Sequence, residues 1–472
     1  MASYADRRLL AWRSPRSLVF CLAVLLSVIG AVLILREVNP LFIFAFLPIA
    51  ILLGLSGSFL VVPLTLYILA TFFDDTGLVE IGSLAKWLGV VTGLLLISRG
   101  LLTRAWRPPA RPAWFLAAFC FWGLLTIFWS IRPDQSQSAL MTLVELVSLS
   151  VALSVTPLSS RELRVIREMV VVGGTLVAAI ALWKWFEFGA LSVARLGYDV
   201  ASGGSTNPNA LAFSLYLPIS FSLAGILFGK SLGPRGWSYL TFTTMMVAVT
   251  LTQSRGGIIG VTSIVLFMLC AHRKIRLSTL VVLGTVGIVT WQVAPALLGR
   301  FTAGEFWSGS GRLDVWEIGI QALKSYWVGG SGLGTFPFAY FEIVARKGGG
   351  MRRGALLELD AHNLYLQLGV ELGVVGVVLF AVAFLTLFRA LLRTERRAED
   401  PLPPLSLQAA LVGSLIAAFF SGPLRVKLFW LMVGLSMLVV IWSRSDSMVE
   451  GKAVQRREEA TPAMSPLHGQ EG

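Results

Sequence analysis

Apolar runs long enough to cross a lipid bilayer recur along almost the whole chain, and nothing else constrains its fold as strongly. A helix needs roughly 20 apolar residues to span the hydrocarbon core. About fourteen such segments are legible, near 18–35, 41–54, 58–73, 82–98, 113–131, 138–156, 169–187, 209–228, 237–253, 257–271, 278–296, 363–387, 406–420 and 427–443. Only 14% of the 472 residues are charged, against about a quarter in a soluble domain, and mean hydropathy is +0.76. In lipid every backbone polar group must find a partner inside the protein, which leaves helices and closed barrels. A barrel would show alternating segments of about 10 residues, and this sequence has none. The expected fold is all-α, a polytopic helical membrane protein with about 12–14 transmembrane helices and one large outward loop region containing short helices.

The short turns between these runs set the orientation. Arginine and lysine gather in five of them: Arg99, Arg104, Arg107 and Arg111; Arg161, Arg164 and Arg167; Lys230 and Arg235; Arg273, Lys274 and Arg276; Arg389, Arg393, Arg396 and Arg397. All fall on one side if both termini are cytoplasmic, as the positive-inside rule asks. The net charge of +13 is thereby read as topology, and nucleic acid is not expected as a partner. The organisation is a cytoplasmic N-terminus (1–17), a helix bundle (18–296), an outward loop (297–361), C-terminal spans (362–443) and a disordered cytoplasmic tail (444–472). Segments 41–54 and 58–73 are short enough to form either two spans or a re-entrant hairpin. The basic start before 18–35 resembles a signal peptide but lacks a small-residue cleavage site, so it reads as a retained first helix.

Arginines on the outward side break the orientation rule and need a reason. Arg255, in QSRGG (253–257), stands between two apolar runs, where a charge costs about 2.5–3.5 kcal/mol at membrane depth. Either it snorkels from a tight turn, or its planar guanidinium grips an anionic group, for which two parallel hydrogen bonds suit phosphate. Arg195 lies in the outward loop before NPNALA (207–212), where Asn207 and Pro208 read as N-cap and first-turn proline. Arg312 opens the amphipathic stretch SGRLDVWEIGIQAL and gains nothing there from the helix dipole. GGSGLG (329–334) reads as a flexible turn.

Of three histidines, His272 sits in a basic turn and His468 in the polar tail, while His362 stands where the outward loop meets a long apolar helix. It is either a capped helix-start residue or a general base. The helix N-terminus and nearby arginines favour a neutral ring. Asp360 acts the other way and is positioned to orient one ring nitrogen. Lys86, Glu145 and Glu371 lie inside apolar runs and need partners, as structural ion pairs or as parts of a transport path. The sequence has no nucleotide-binding P-loop, no H-E-x-x-H and no zinc spacing of Cys and His, so no cofactor and no metal are expected.

In this order, Arg195, NPNALA, QSRGG, SGRLDVW (310–316), GGSGLGTF (329–336) and HNLYL (362–366), with Gly373-Val374-Val375-Gly376 nine residues after His362-Asn363, resemble the O-antigen ligase/polymerase superfamily over roughly residues 190–376. The resemblance implies a metal-independent, lipid-linked-oligosaccharide-dependent glycosyltransferase of the bacterial inner membrane, with its active site facing the periplasm. Its donor would be an undecaprenyl-pyrophosphate-linked glycan. Its acceptor would be a sugar hydroxyl of lipid A-core for a ligase, the leading reading, or another repeat unit for an O-antigen or exopolysaccharide polymerase. Arg195, Arg255 and Arg312 would hold the pyrophosphate, Asn363 would contact substrate, and His362 would be the base. A transporter of lipid-linked glycan is the reading from another class.

Overall fold

The computed structural model describes residues 61–76, 84–104, 106–188, 208–229, 232–271, 284, 312–347, 360–396 and 402–460. Among the described residues there are α-helices, short 3₁₀ turns and no strands. The helices are α1 (Val61–Thr76), α2 (Leu84–Thr103), α3 (Arg111–Thr126), α4 (Pro133–Val155), α5 (Ser160–Phe188), α6 (Pro208–Ser214), α7 (Tyr216–Phe228), α8 (Leu232–Leu251), α9 (Arg255–Ala271), α10 (Arg312–Tyr326), α11 (Phe336–Arg346), α12 (Leu364–Glu395), α13 (Leu402–Ala417) and α14 (Lys427–Ala460). Among the described residues, six stretches are long and apolar enough to cross a membrane: Ala85–Thr103, Arg111–Trp129, Pro133–Val155, Ser160–Trp183, Pro208–Phe228 and Leu364–Glu395. Shorter apolar helices cover Val61–Asp74, Arg255–Ala271, Pro403–Ala417 and Lys427–Ser443. The chain is an all-α polytopic membrane protein.

The segments expected near 18–35, 41–54 and 278–296 lie outside the described residues, whereas 58–73 appears as the single helix α1. α14 continues past 443 to Ala460, into the stretch read as tail. Its sequence there (Ser443 to Ala460) is rich in Glu, Arg, Lys, Gln and Ala, which favour helix as readily as they favour water.

Burial separates central from peripheral elements. The most apolar window of Pro208–Phe228 is 89% buried, against 33% for Ala85–Thr103 and Arg111–Trp129. α6 and α7 are thus the axis, and α2 and α3 present Trp87, Leu94, Trp114 and Phe121 outward, as lipid-facing helices do. Small residues let the inner helices approach: a Cβ on Gly260 of α9 would stand 2.5 Å from the Tyr216 ring, and one on Gly174 of α5 would stand 2.5 Å from Pro218. Close backbone approach of this kind drives helix association where lipid removes the hydrophobic incentive. Several hydroxyls inside the bundle return to carbonyls of their own helix, as Thr65 does to Val61 (2.7 Å) and Thr71 to Tyr67 (2.7 Å), and so add no unmet donor.

The two ends of the bundle differ. At the basic end Arg99 forms a forked pair with Glu162 at 2.7 and 3.3 Å. Glu162 also accepts from the Ser159 amide at 2.7 Å while Ser159 Oγ accepts from the Glu162 amide at 3.3 Å, a reciprocal capping box that starts α5. At the opposite end α10 and α11 fold back over the start of α12. They bury Ala322, Phe336, Ala339, Ile343, Ala361 and Val370 in a second small core. The amphipathic stretch expected to lie on the surface therefore spends part of its apolar face on the protein itself, while Leu313 and Ile320 stay exposed.

Candidate functional site

His362 is held at the foot of α12 by its neighbours' backbone. Asn363 is the N-cap: its Oδ1 accepts from the amides of Tyr365 and Leu366, both at 3.1 Å. This satisfies two of the orphan donors every helix start carries, and it accounts structurally for a residue expected to contact substrate. His362 itself has φ 47°, a left-handed conformation that histidine tolerates better than most side chains. Asp360 Oδ1 accepts the His362 amide at 3.3 Å, whereas Asp360 Oδ2 stands 3.9 Å from Nδ1. The expected hydrogen bond orienting the ring is absent at that distance; the carboxylate steadies the backbone turn instead.

Three other segments grip this turn. The Trp316 indole of α10 donates to Ala361 O at 2.9 Å. The Leu364 amide is shared between Ala418 O (2.8 Å) and Ser421 O (3.1 Å), beyond the end of α13. Tyr365 Oη donates to Leu415 O at 2.7 Å.

The glycine-rich run proves to be a docked turn and not a flexible one. α12 is broken at Gly373 (φ 63°, ψ −169°), and a break frees carbonyls that must find other donors. The run supplies them: the Ser331 amide donates to Val370 O at 2.8 Å and Gly332 to Glu371 O at 2.9 Å. Trp122 of α3 donates to Leu372 O at 2.8 Å. In return the Val374 amide donates to Trp327 O at 2.8 Å. Gly330 (φ 78°) and Gly373 leave no room for a side chain, since a Cβ would meet Glu371 O or Val328 O at 2.2 Å. The buried Glu371 carboxylate accepts from the amides of Gly334 (2.8 Å) and Phe336 (3.3 Å) and from Gln367 Nε2 (3.0 Å).

Lys86 and Glu145 lie 3.9 Å apart. With Glu371 satisfied as above, the three charges singled out in the sequence have structural partners.

Arg255 opens α9 in a turn built like that of His362. Gln253 has φ 50° and precedes the cap residue Ser254, whose Oγ accepts from the Gly257 amide at 3.0 Å. Ser254 Oγ donates to Asn209 Oδ1 at 2.7 Å, tying QSRGG to NPNALA. α6 begins at Pro208, as a first-turn proline should.

Gly256 lies against Phe420, with a Cβ position 2.9 Å from its side chain, and a Cβ on Gly422 would stand 3.1 Å from both Asp360 and Gln367. Residues 418–422 therefore run between Arg255 on one side and the His362 turn on the other. Arg312 is the first residue of α10, four positions before Trp316; its side chain, like all of Arg195, lies outside the described set.

Several cations escaped the sequence analysis, Arg425 foremost. Arg425, exposed in the 3₁₀ turn Pro423–Arg425 before α14, lies near Gly334, whose Cβ position is 3.7 Å from Nη2, and its charge is felt by Glu371. The rule applied to the other outward arginines would have flagged it in this short turn too. Lys427, two residues on, pairs with Asp74 of α1. Away from the membrane spans, burial first, and then the hydrogen bond to and charge of Glu342, push the Tyr326 phenol up to about 12, so it remains a donor to Glu342 at neutral pH.

Residues 240–381, which contain Arg255, Arg312, the glycine turn, His362 and Glu371, match the family model described as O-Antigen ligase. The chain is also 25% identical over 319 residues, 61% of its length and 68% of the relative, to the exopolysaccharide production protein ExoQ of Rhizobium meliloti (strain 1021). By these residues the chain is similar to the O-antigen ligase/polymerase superfamily.

Proposed function

We propose that this protein transfers a glycan from undecaprenyl pyrophosphate to a sugar hydroxyl, at the periplasmic face of a bacterial inner membrane. The observation that carries the reading is the shared segment 418–422, which packs on Gly256 beside Arg255 and also holds the turn of His362. The turns that carry Arg255 and His362, far apart in sequence, thus border one segment.

In this reading His362 takes the proton of the acceptor hydroxyl as its oxygen attacks the anomeric carbon. The bond from that carbon to the pyrophosphate oxygen breaks, and the diphosphate departs with the electron pair on its lipid carrier. Arg255, with Arg312 and Arg195, stabilises the charge that develops on the leaving oxygens, without reorganising as water would. Arg425 adds a fourth cation near the docked glycine turn. Asn363 serves mainly as the cap that fixes His362.

The first acceptor reading is lipid A-core, the ligase reaction. The relative named for exopolysaccharide production favours a second, in which the acceptor is another repeat unit and the product a polysaccharide. Transfer from a defined lipid-pyrophosphate glycan by purified protein, offered either core lipid or a second repeat, separates the two. No product with either acceptor would sink both. Arg255→Lys is expected to weaken donor binding about tenfold, because an ammonium loses the fork of two parallel hydrogen bonds. Equal donor affinity for the two proteins, read by titration, counts against this contact.

A further inference from the structure

We infer that Glu371 is a positioning residue: through the docked glycine turn and through Gln367, it sets how α10 and α11 sit over His362. The inference rests on the transfer reaction proposed above and goes further, because it assigns work to a residue that touches neither donor nor acceptor in that scheme.

A carboxylate inside a membrane helix is retained against a cost of several kcal/mol, so its partners indicate what it secures. Here all three described donors belong to connections around the site. The Gly334 and Phe336 amides, at 2.8 and 3.3 Å, are the entry to α11. Phe336 and Ala339 of α11 form the small core with Ala322 of α10 and with Ala361, the residue before His362. The third donor, Gln367 Nε2 at 3.0 Å, lies one turn above the Asn363 cap. A Cβ on Gly422 would lie 3.1 Å from both Gln367 Oε1 and Asp360 Oδ2, so Gln367 and Asp360 flank the same glycine of the 418–422 segment.

Glu371 thus stands between two routes to the histidine turn. One passes through the glycine turn, α11 and α10 to Trp316 and Ala361; the other passes through Gln367 and Gly422 to Asp360. Arg255 is fixed separately, by Ser254 and Asn209. Loss of the carboxylate should therefore misplace the base, and with α10 also Arg312, relative to a donor still held at Arg255.

Glu371→Gln keeps the shape but replaces one accepting oxygen with an amino group, which cannot accept, so either Gly334 or the Phe336 and Gln367 pair loses its acceptor. The experiment compares it with wild type in lipid nanodiscs, by hydrogen exchange of the 330–338 peptide and by steady-state transfer kinetics. Exchange across 330–336 is expected to quicken at least about tenfold, as loss of one charge-assisted hydrogen bond implies, while α9 exchanges as before. The kcat is expected to fall at least about tenfold, with a smaller change in donor KM because Arg255 keeps its place, since small misplacements of reacting groups are costly.

Unchanged exchange overturns the anchoring, and unchanged kcat with faster exchange overturns the positioning role. A rise in KM without loss of kcat also overturns it. Should Glu371→Gln fail to fold, Gln367→Met removes only the second route, and a loss of kcat at constant KM is expected. If wild-type protein makes no product at all, the transfer reading fails, while the exchange arm still decides whether Glu371 holds the turn.

Discussion

His362→Ala is expected to lower glycan transfer at least about 100-fold while leaving the protein folded, because a positioned general base contributes roughly 10²–10⁴-fold. The fold survives because the elements that shape this turn act around the imidazole. Asn363 caps α12, Leu364 bonds to Ala418 and Ser421, and Trp316 bonds to Ala361. The residue's left-handed backbone (φ 47°) offers a second explanation for any loss, namely strain. His362→Asn separates the two, since asparagine accepts this conformation readily but supplies no base. Both variants should lose transfer to the same extent, with an unfolding midpoint close to wild type for His362→Asn. Transfer at the normal rate by either purified variant ends the assignment of His362 as base.

The second large effect is expected at Gly330. Replacing it by alanine demands a left-handed backbone (φ 78°) and places a Cβ 2.2 Å from Glu371 O, itself a backbone atom inside a membrane helix. Such an atom cannot yield as a flexible side chain does. The Ser331 and Gly332 amides would leave the carbonyls freed by the break at Gly373, and unmet carbonyls in an apolar surround are expensive. A destabilisation on the order of 3 kcal/mol or more is expected, read as a lowered unfolding midpoint, with loss of transfer. Gly236→Ala in α8 is the contrast: nothing lies within 4 Å of its Cβ position, and the change should be neutral or stabilising by up to about 1 kcal/mol. Equal behaviour of the two variants would show that the turn is not docked against the helix break.

Much of the architecture was legible because bilayer thickness imposes a length, and the orientation rule imposes a sign, that any stretch of sequence displays locally. The same locality made Arg255 and His362 visible, as a charge out of place and as a lone imidazole at a loop–helix junction. Other points turned on backbone contacts that residue type does not display. Asp360 was read as able to orient the ring; its Oδ1 accepts the His362 amide while its Oδ2 stands 3.9 Å from Nδ1. Asn363, expected on substrate, also caps a helix. The glycine run read as loose because glycines lack side chains, and only the carbonyls of residues 370–372 across the fold explain why it is fixed.

What the amino-acid order determined by itself is a bundle of apolar helices with its basic turns at one end and a histidine-bearing loop at the other, since segment length and charge are properties of neighbouring residues. What only the tertiary structure decided is which distant turns meet. Residues 418–422 lie between Arg255 and His362, and residues 329–334 enter the break at Gly373, through backbone hydrogen bonds and close glycine approaches. Every residue type but proline offers the same amide and carbonyl, so such pairings leave no periodic trace in the chain.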